Sequence, residues 1–306
     1  MSSREKTIVQ TSWISTIGNA VLSASKIVVG LLAGSLAVVG AGIDSATDVV
    51  ISVVMIFAAH IMHRPPSRRY AFGYEKAESI ATKILSFVIF YAGLQMLTST
   101  VGNLFSTEPR QQPDVIAIYV TVFSIVGKLL LAWYQYKQGK RVNSSLLIAN
   151  AVNMRNDVVI SGGVLVGLAA TFILRLPILD TITGLIISLF IIKSAVNIFM
   201  ESSVVLMDGV KDTDVYNKIF AAVDRVPGAS NPHRVRSRQM GNMYMINLDI
   251  EADGSLTLNE AHTIADAVEK SIKQSVDNVY DIVVHVEPKG KQHAEEKFGV
   301  DKGTVE

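Results

Sequence analysis

The sequence predicts an α-helical membrane protein with six transmembrane helices, followed by a small α+β domain. Two observations carry this. Up to about residue 207 the chain is a series of long apolar runs; beyond it, charged residues return, with helical and alternating patterns in succession. Composition agrees: the 306 residues are 49% apolar and 18% charged, with a mean hydropathy of +0.36. A soluble chain carries about 25% charged residues. The net charge of +1 argues against nucleic-acid binding. The chain has no cysteine, which excludes disulfides, thiolate catalysis and cysteine-type zinc sites. Its histidines are His60, His63, His233, His262, His285 and His293, so any bound metal must rest mainly on oxygen.

A helix needs ~20 apolar residues to cross a bilayer. Six such spans are predicted, at about 12–34, 37–62, 79–104, 114–136, 146–173 and 178–200. Polar breaks separate them, among them His63 to Arg69, Ser106 to Arg110 and Arg175 to Pro177. The first span is expected to act as its own signal anchor. Basic residues in the short loops set the orientation. Arg4, Lys6, Arg64, Arg68, Arg69, Lys76, Lys137, Lys140 and Arg141 fall on one side, against Arg110 and Arg175 on the other. Both termini are therefore expected in the cytoplasm, with the chain in the cell (inner) membrane.

Domain organisation follows: 1–207 as the membrane domain, 208–290 as a soluble domain and 291–306 as a loose, charged tail. Residues 208–290 carry nine Lys/Arg and thirteen Asp/Glu, a net charge near −4. Asp212 to Val226 has Val215, Ile219, Ala222 and Val223 at helical spacing, with Asp212 or Thr213 as cap. Val235 to Met240 and Met243 to Ile250 alternate about Gly241-Asn242, a hairpin signal. Thr257 to Ser275 turns Ala261, Ile264, Ala265, Val268 and Ile272 to one face. Val279 to Val286 is a β-rich strand stopped by Pro288. The order αββαβ is ferredoxin-like in type, a small sheet with helices on one face.

The second span contains Asp44 and Asp48, at i and i+4 on one helical face. One reading is that a helix begins at Asp48 and both acids cap it. Against this, Val49 to Met62 is too short to cross, so the span reaches back to about Leu36 and encloses both acids. Carboxylates inside a membrane are costly and mark function by default. The fifth span repeats the spacing with Asn153 and Asp157. If the two helices pack together, Asp44, Asp48, Asn153 and Asp157 form an oxygen cage for a divalent cation. The alternative is an internal polar network closing around Arg155, which lies about 160° from Asp157 on the helix wheel.

On these residues the sequence resembles the cation diffusion facilitator family of metal–proton antiporters, over nearly its whole length. Further matching stretches are Phe72 to Glu78, Leu206 to Asp208, Arg236 to Gln239 and Asp281 to Pro288. The resemblance implies a homodimer in the lipid bilayer that exports a divalent metal from the cytoplasm by alternating access, driven by protons. It assigns Asp44, Asp48, Asn153 and Asp157 to the transport site, and Lys76 with Asp208 to a charge pair tying membrane helices together.

Two departures bear on the metal. Zinc-transporting members have a histidine where Asn153 stands, and members with Asn or Asp there are associated with manganese. All-oxygen coordination suits Mn²⁺, whereas imidazole favours Zn, Ni and Cu. The loop after the second span places Ser67, Tyr70 and Tyr74 where zinc members often carry a His and Asp site, so no loop site is expected. His60 and His63 read as interfacial side chains. His285 and Glu287 share a face of the last strand. The resemblance adds His233, Asp249 and His262 as positions that bind regulatory metal, while Asn247 stands where some members have histidine. No resident cofactor is implied beyond the transported and regulatory metal, and no nucleophile–base constellation suggests an enzyme. The alternatives are a Zn²⁺, Fe²⁺ or Cd²⁺ exporter of the same family, or a non-transporting metal sensor.

Overall fold

The computed structural model describes residues 3–62, 64–106, 112–142, 145–240, 243–290 and 298–303. Six long helices come first: α1 Ser3–Leu32, α2 Leu36–Met62, α3 Ala77–Phe105, α4 Ile116–Arg141, α5 Ser145–Leu174 and α6 Ile178–Leu206. All six contain stretches long and apolar enough to cross a membrane. Then follow α7 Asp214–Val223, β1 Ser230–Met240, β2 Met243–Ala252, α8 Leu258–Ser275 and β3 Val279–Pro288. The expected αββαβ order is present. The chain divides into two compact units, residues 1–58 with 84–199, and residues 59–83 with 200–306. The loop between α2 and α3 thus groups with the C-terminal domain, where a linear boundary at 207 puts it with the membrane part.

In the first unit, α1 shows why a bilayer-spanning helix buries the opposite face from a soluble one. Trp13, Ile17, Val21 and Val28 are exposed, while Thr11, Ser15, Asn19, Ser23 and Lys26, at helical spacing, are buried. Water does not solvate the outer surface, so apolar side chains belong there and polar ones turn inwards. α4 repeats the pattern with Thr121, Ser124, Lys128 and Gln135. Elsewhere the bundle is apolar: Ala37, Val38 and Ala41 of α2 pack with Leu85, Ile89 and Met96 of α3, Val164 and Leu168 of α5, and Ile187 and Ile191 of α6. Glycines allow close approach: a Cβ on Gly42 would stand 2.9 Å from the Ile27 backbone nitrogen, and one on Gly30 equally far from that of Val39. Asp180, buried at the start of α6, accepts from Ser35 Oγ at 2.6 Å and from the Leu36 amide at 2.9 Å. It thereby caps α2 from outside that helix.

The C-terminal sheet has the order β1-β2-β3, with β1 antiparallel and β3 parallel to β2. Ile246, Leu248 and Ile250 point to the face covered by α7 and α8, where they meet Val215, Ile219, Val268 and Ile272. Burial of such a side chain contributes about 1.5–3 kcal/mol. The alternate residues of β2, among them Asn247 and Asp249, face the other way. α8 starts with a full capping box: Glu260 N donates to the Thr257 hydroxyl, and the Glu260 side chain accepts from the Thr257 amide. The bonds from Thr257 hold the Glu260 carboxyl below its usual range.

β1 begins five residues earlier than its alternation suggests. The register shifts between Ser230, His233 and Arg236, with positive φ at Asn231 and Arg234, so this part of the strand does not alternate. The hairpin pairs Met240 with Met243, while the turn residues Gly241 and Asn242 lie outside those described. Part of the expected loose tail is docked: Val300 bridges to Val235, and Asp301 accepts from the Arg234 amide at 2.9 Å. Residues 291–297 and 304–306 are outside the described set.

Candidate metal centres

The bundle brings Asp44 and Asp48 of α2 together with Asp157 of α5. Asp44 and Asp48 both lie within electrostatic reach of Asp157 and Lys128. All three acids are partly buried. Two carboxylates so close repel unless a proton or a cation lies between them. The sequence of this unit contains no histidine and no cysteine, so its strong donors are oxygens. Asn153 sits one turn before Asp157, on the same face of α5, and is exposed.

Two residues here were not foreseen. Lys128 of α4 is 1% exposed and its Nζ stands 2.8 Å from Asp157 Oδ2. Lys26 of α1 is fully buried, and its Nζ donates to Ser161 Oγ at 2.9 Å. Ser161 follows Asp157 by one turn, so the two ammonium groups meet consecutive rungs of the α5 face. An internal polar network does close here, but around the lysines; Arg155 is exposed. A lysine within an apolar run is itself costly, and both lie on the buried polar stripes of their helices. That periodicity was the available signal.

The second centre lies on the face of the C-terminal sheet away from α7 and α8. His233 pairs across with Asp249, and Asp249 with His285, so three strands place their side chains in one row. Glu287, two residues on, completes the group. His233 Nε2 is 3.2 Å from Glu287 Oε2, and His285 Nδ1 is 3.4 Å from Glu287 Oε1 and 3.6 Å from Asp249 Oδ2. Ligand atoms of His233, Asp249 and Glu287 all lie within 4.8 Å of one another, the one such trio among the described residues. This mixed nitrogen and oxygen set fits a divalent transition metal. The intramembrane acids do not close to that spacing. Asp249 is already engaged by Arg234, whose Nη1 approaches Oδ2 to 2.7 Å, a contact the sequence did not announce.

His262 is not brought to this cluster: it is exposed on α8, 3.7 Å from Asp266 in the next turn. It lines one cleft with Glu287 and Pro288 but does not join the trio. Lys76 and Asp208 form an ion pair, both partly exposed. Asp208 takes a positive φ just after α6, which turns its side chain out of the helix line. In the preceding loop, the Ser67 and Tyr74 hydroxyls are 3.3 Å apart, and Arg238 of β1 stacks over Phe72 at 4.4 Å. His60 falls in the last turns of α2, so that helix does carry a histidine. It lies twelve residues, roughly 18 Å, beyond Asp48; its side chain and all of His63 lie outside the described set.

Comparison with known proteins places most of the chain. The profile of the cation efflux transmembrane domain matches residues 12–207, and that of the cation efflux protein cytoplasmic domain matches residues 212–289. The manganese efflux system protein MneS of Bacillus subtilis is 32% identical, over 88% of this chain and 91% of its own. A second manganese efflux system protein of that organism, MneP, is 28% identical over 94% and 98%. The cation-efflux pump FieF of Yersinia enterocolitica is 29% identical over 83% and 84%. This chain is a member of the cation diffusion facilitator family of cation efflux transporters.

Proposed function

We propose that this transporter exports Mn²⁺ from the cytoplasm in exchange for protons, working as a homodimer with both termini in the cytoplasm. The observation that carries it is the gathering of Asp44, Asp48 and Asp157 in a unit whose sequence offers no imidazole or thiolate. With Asn153 they make an all-oxygen donor set, which favours a harder ion. The two manganese efflux relatives support that choice of metal. The orientation rests on the nine-to-two excess of basic residues in loops on one side.

In this reading the ionised carboxylates take the metal from the cytoplasmic side, and the bundle then opens outwards around the fixed site. Protons replace the ion as it leaves, since carboxylates stripped of a cation in a low-dielectric site regain a proton. The row His233, Asp249, His285 and Glu287 acts as a sensor, where bound metal biases the arrangement of the dimer. His262 enters that role only if it is supplied across the dimer.

The test is Mn²⁺ uptake into proteoliposomes. Asp48→Ala and Asp157→Ala are each expected to lower the rate at least a hundredfold; a normal rate in either would show that the site is elsewhere. Asn153→His is expected to add Zn²⁺ transport, by supplying the imidazole the native site lacks. If it leaves the metal profile unchanged, an exporter of Zn²⁺, Fe²⁺ or Cd²⁺ becomes the better reading. Metal-induced conformational change without flux would point to a sensor.

A further inference from the structure

Lys128 is built into the bundle as carefully as the acids. It is buried, on a helix whose neighbour is drawn close: a Cβ on Gly127 would stand 2.8 Å from Leu22 Cδ2 of α1. Its ammonium spends its strongest contact on Asp157. Beside it, Lys26 holds Ser161, one turn along α5. Three carboxylates against two ammonium groups leave one net negative charge when all five are ionised. A site meant only to bind a cation gains nothing from two resident cations, so their presence asks for an explanation.

We propose that Lys128 is a tethered counter-cation that holds Asp157 until a divalent ion displaces it, and so sets the charge a cargo ion must carry. This rests on the transport-site reading above. The argument is electrostatic. A sodium or potassium ion brings the same unit charge as the ammonium, and the ammonium, being covalently held, is always present at high effective concentration. A monovalent ion therefore cannot win Asp157. A divalent ion brings twice the charge to the same carboxylates, and in a low-dielectric site that difference counts heavily. The Lys128 ammonium moves only far enough to release Oδ2; its long flexible stem permits this. Displacement also lowers affinity, which helps the site let its cargo go. Lys128 touches no cargo and acts through Asp157, so it is a positioning residue.

The experiment is equilibrium Mn²⁺ binding to the full chain in detergent, with sodium titrated as a competitor. Lys128→Met is expected to bind Mn²⁺ about ten- to a hundredfold more tightly, the equivalent of a charge-assisted hydrogen bond that need not be broken. Its binding should become sensitive to sodium, and its turnover should fall together with KM. Lys128→Arg should retain native affinity and sodium resistance. A structural role alone would not produce tighter binding, sodium sensitivity and rescue by Arg together. If Lys128→Met proves unfolded by size exclusion, Lys128→Gln is read by the same criteria. Unchanged or weaker Mn²⁺ binding in the folded neutral variant overturns the proposal. Asp157→Asn separates the two readings: if it abolishes binding while neutral variants at Lys128 leave affinity unchanged, the site stands and the counter-cation role falls. If it leaves binding intact, the site reading itself is wrong.

Discussion

The acid cluster in the bundle and the His–Asp–Glu row on the C-terminal sheet solve one problem in two dielectric settings. Each gathers carboxylates, and each already holds a basic side chain against one of them: Lys128 on Asp157 at 2.8 Å, Arg234 on Asp249 at 2.7 Å. In the bundle that cation is 1% exposed; on the sheet it is 28% exposed. Where water is excluded an uncompensated charge is very costly, so charges must be matched nearly one for one. Where water still reaches, screening does part of that work. The two centres also differ in how they are assembled. Bundle partners come from separate helices, with Lys26 and Ser161 135 residues apart. The sheet row follows from strand register, cross-strand neighbours His233, Asp249 and His285 lying side by side.

Stability measurements can break this comparison. The largest effect is expected from Asp157→Ala, which strands the Lys128 ammonium; it should cost about 3–5 kcal/mol. Adding Lys128→Met should restore most of it, read as the detergent-state unfolding temperature of single and double variants. On the sheet, Asp249→Ala should cost less, about 1–3 kcal/mol, because Arg234 can turn to water. Equal costs at the two sites would show that burial is not what separates them. Smaller again is the helix cap: Thr257→Ala should cost about 1 kcal/mol in the C-terminal domain's unfolding transition. The smallest effect belongs to Lys76→Met. That pair is 37% and 51% exposed, so its loss should change stability by less than ~1 kcal/mol. A larger loss would show that the pair is coupled to more than its own contact.

The helices of the bundle were legible because length and apolarity suffice to specify a span; α2 was expected over 37–62 and occupies Leu36–Met62. The paired acids were legible because i and i+4 share a face whatever the tertiary structure. Lys26 and Lys128 were not recognised. A single charge in a span says nothing of its partner until the helices are packed, although the stripe from Thr11 to Lys26 marked the inward face. The start of β1 at Ser230 is not visible in the alternation from Val235, because the bulged register of residues 230–236 depends on pairing with β2. The docking of Val300 and Asp301 on β1 was hidden for a similar reason: a short polar segment gains order only from the edge it meets. His262 is assigned to the regulatory set by the family resemblance alone; within this chain it is exposed on α8, 3.7 Å from Asp266.

Local patterns therefore specified the number of helices, the order of the small domain and the paired acids of the second span, because these depend on spacing along one element. Which cation neutralises which carboxylate, and which histidines share a face, was settled only by packing. Ion pairing requires groups a few ångströms apart, and in this chain the folded bundle and the sheet register create those distances between residues far apart in sequence.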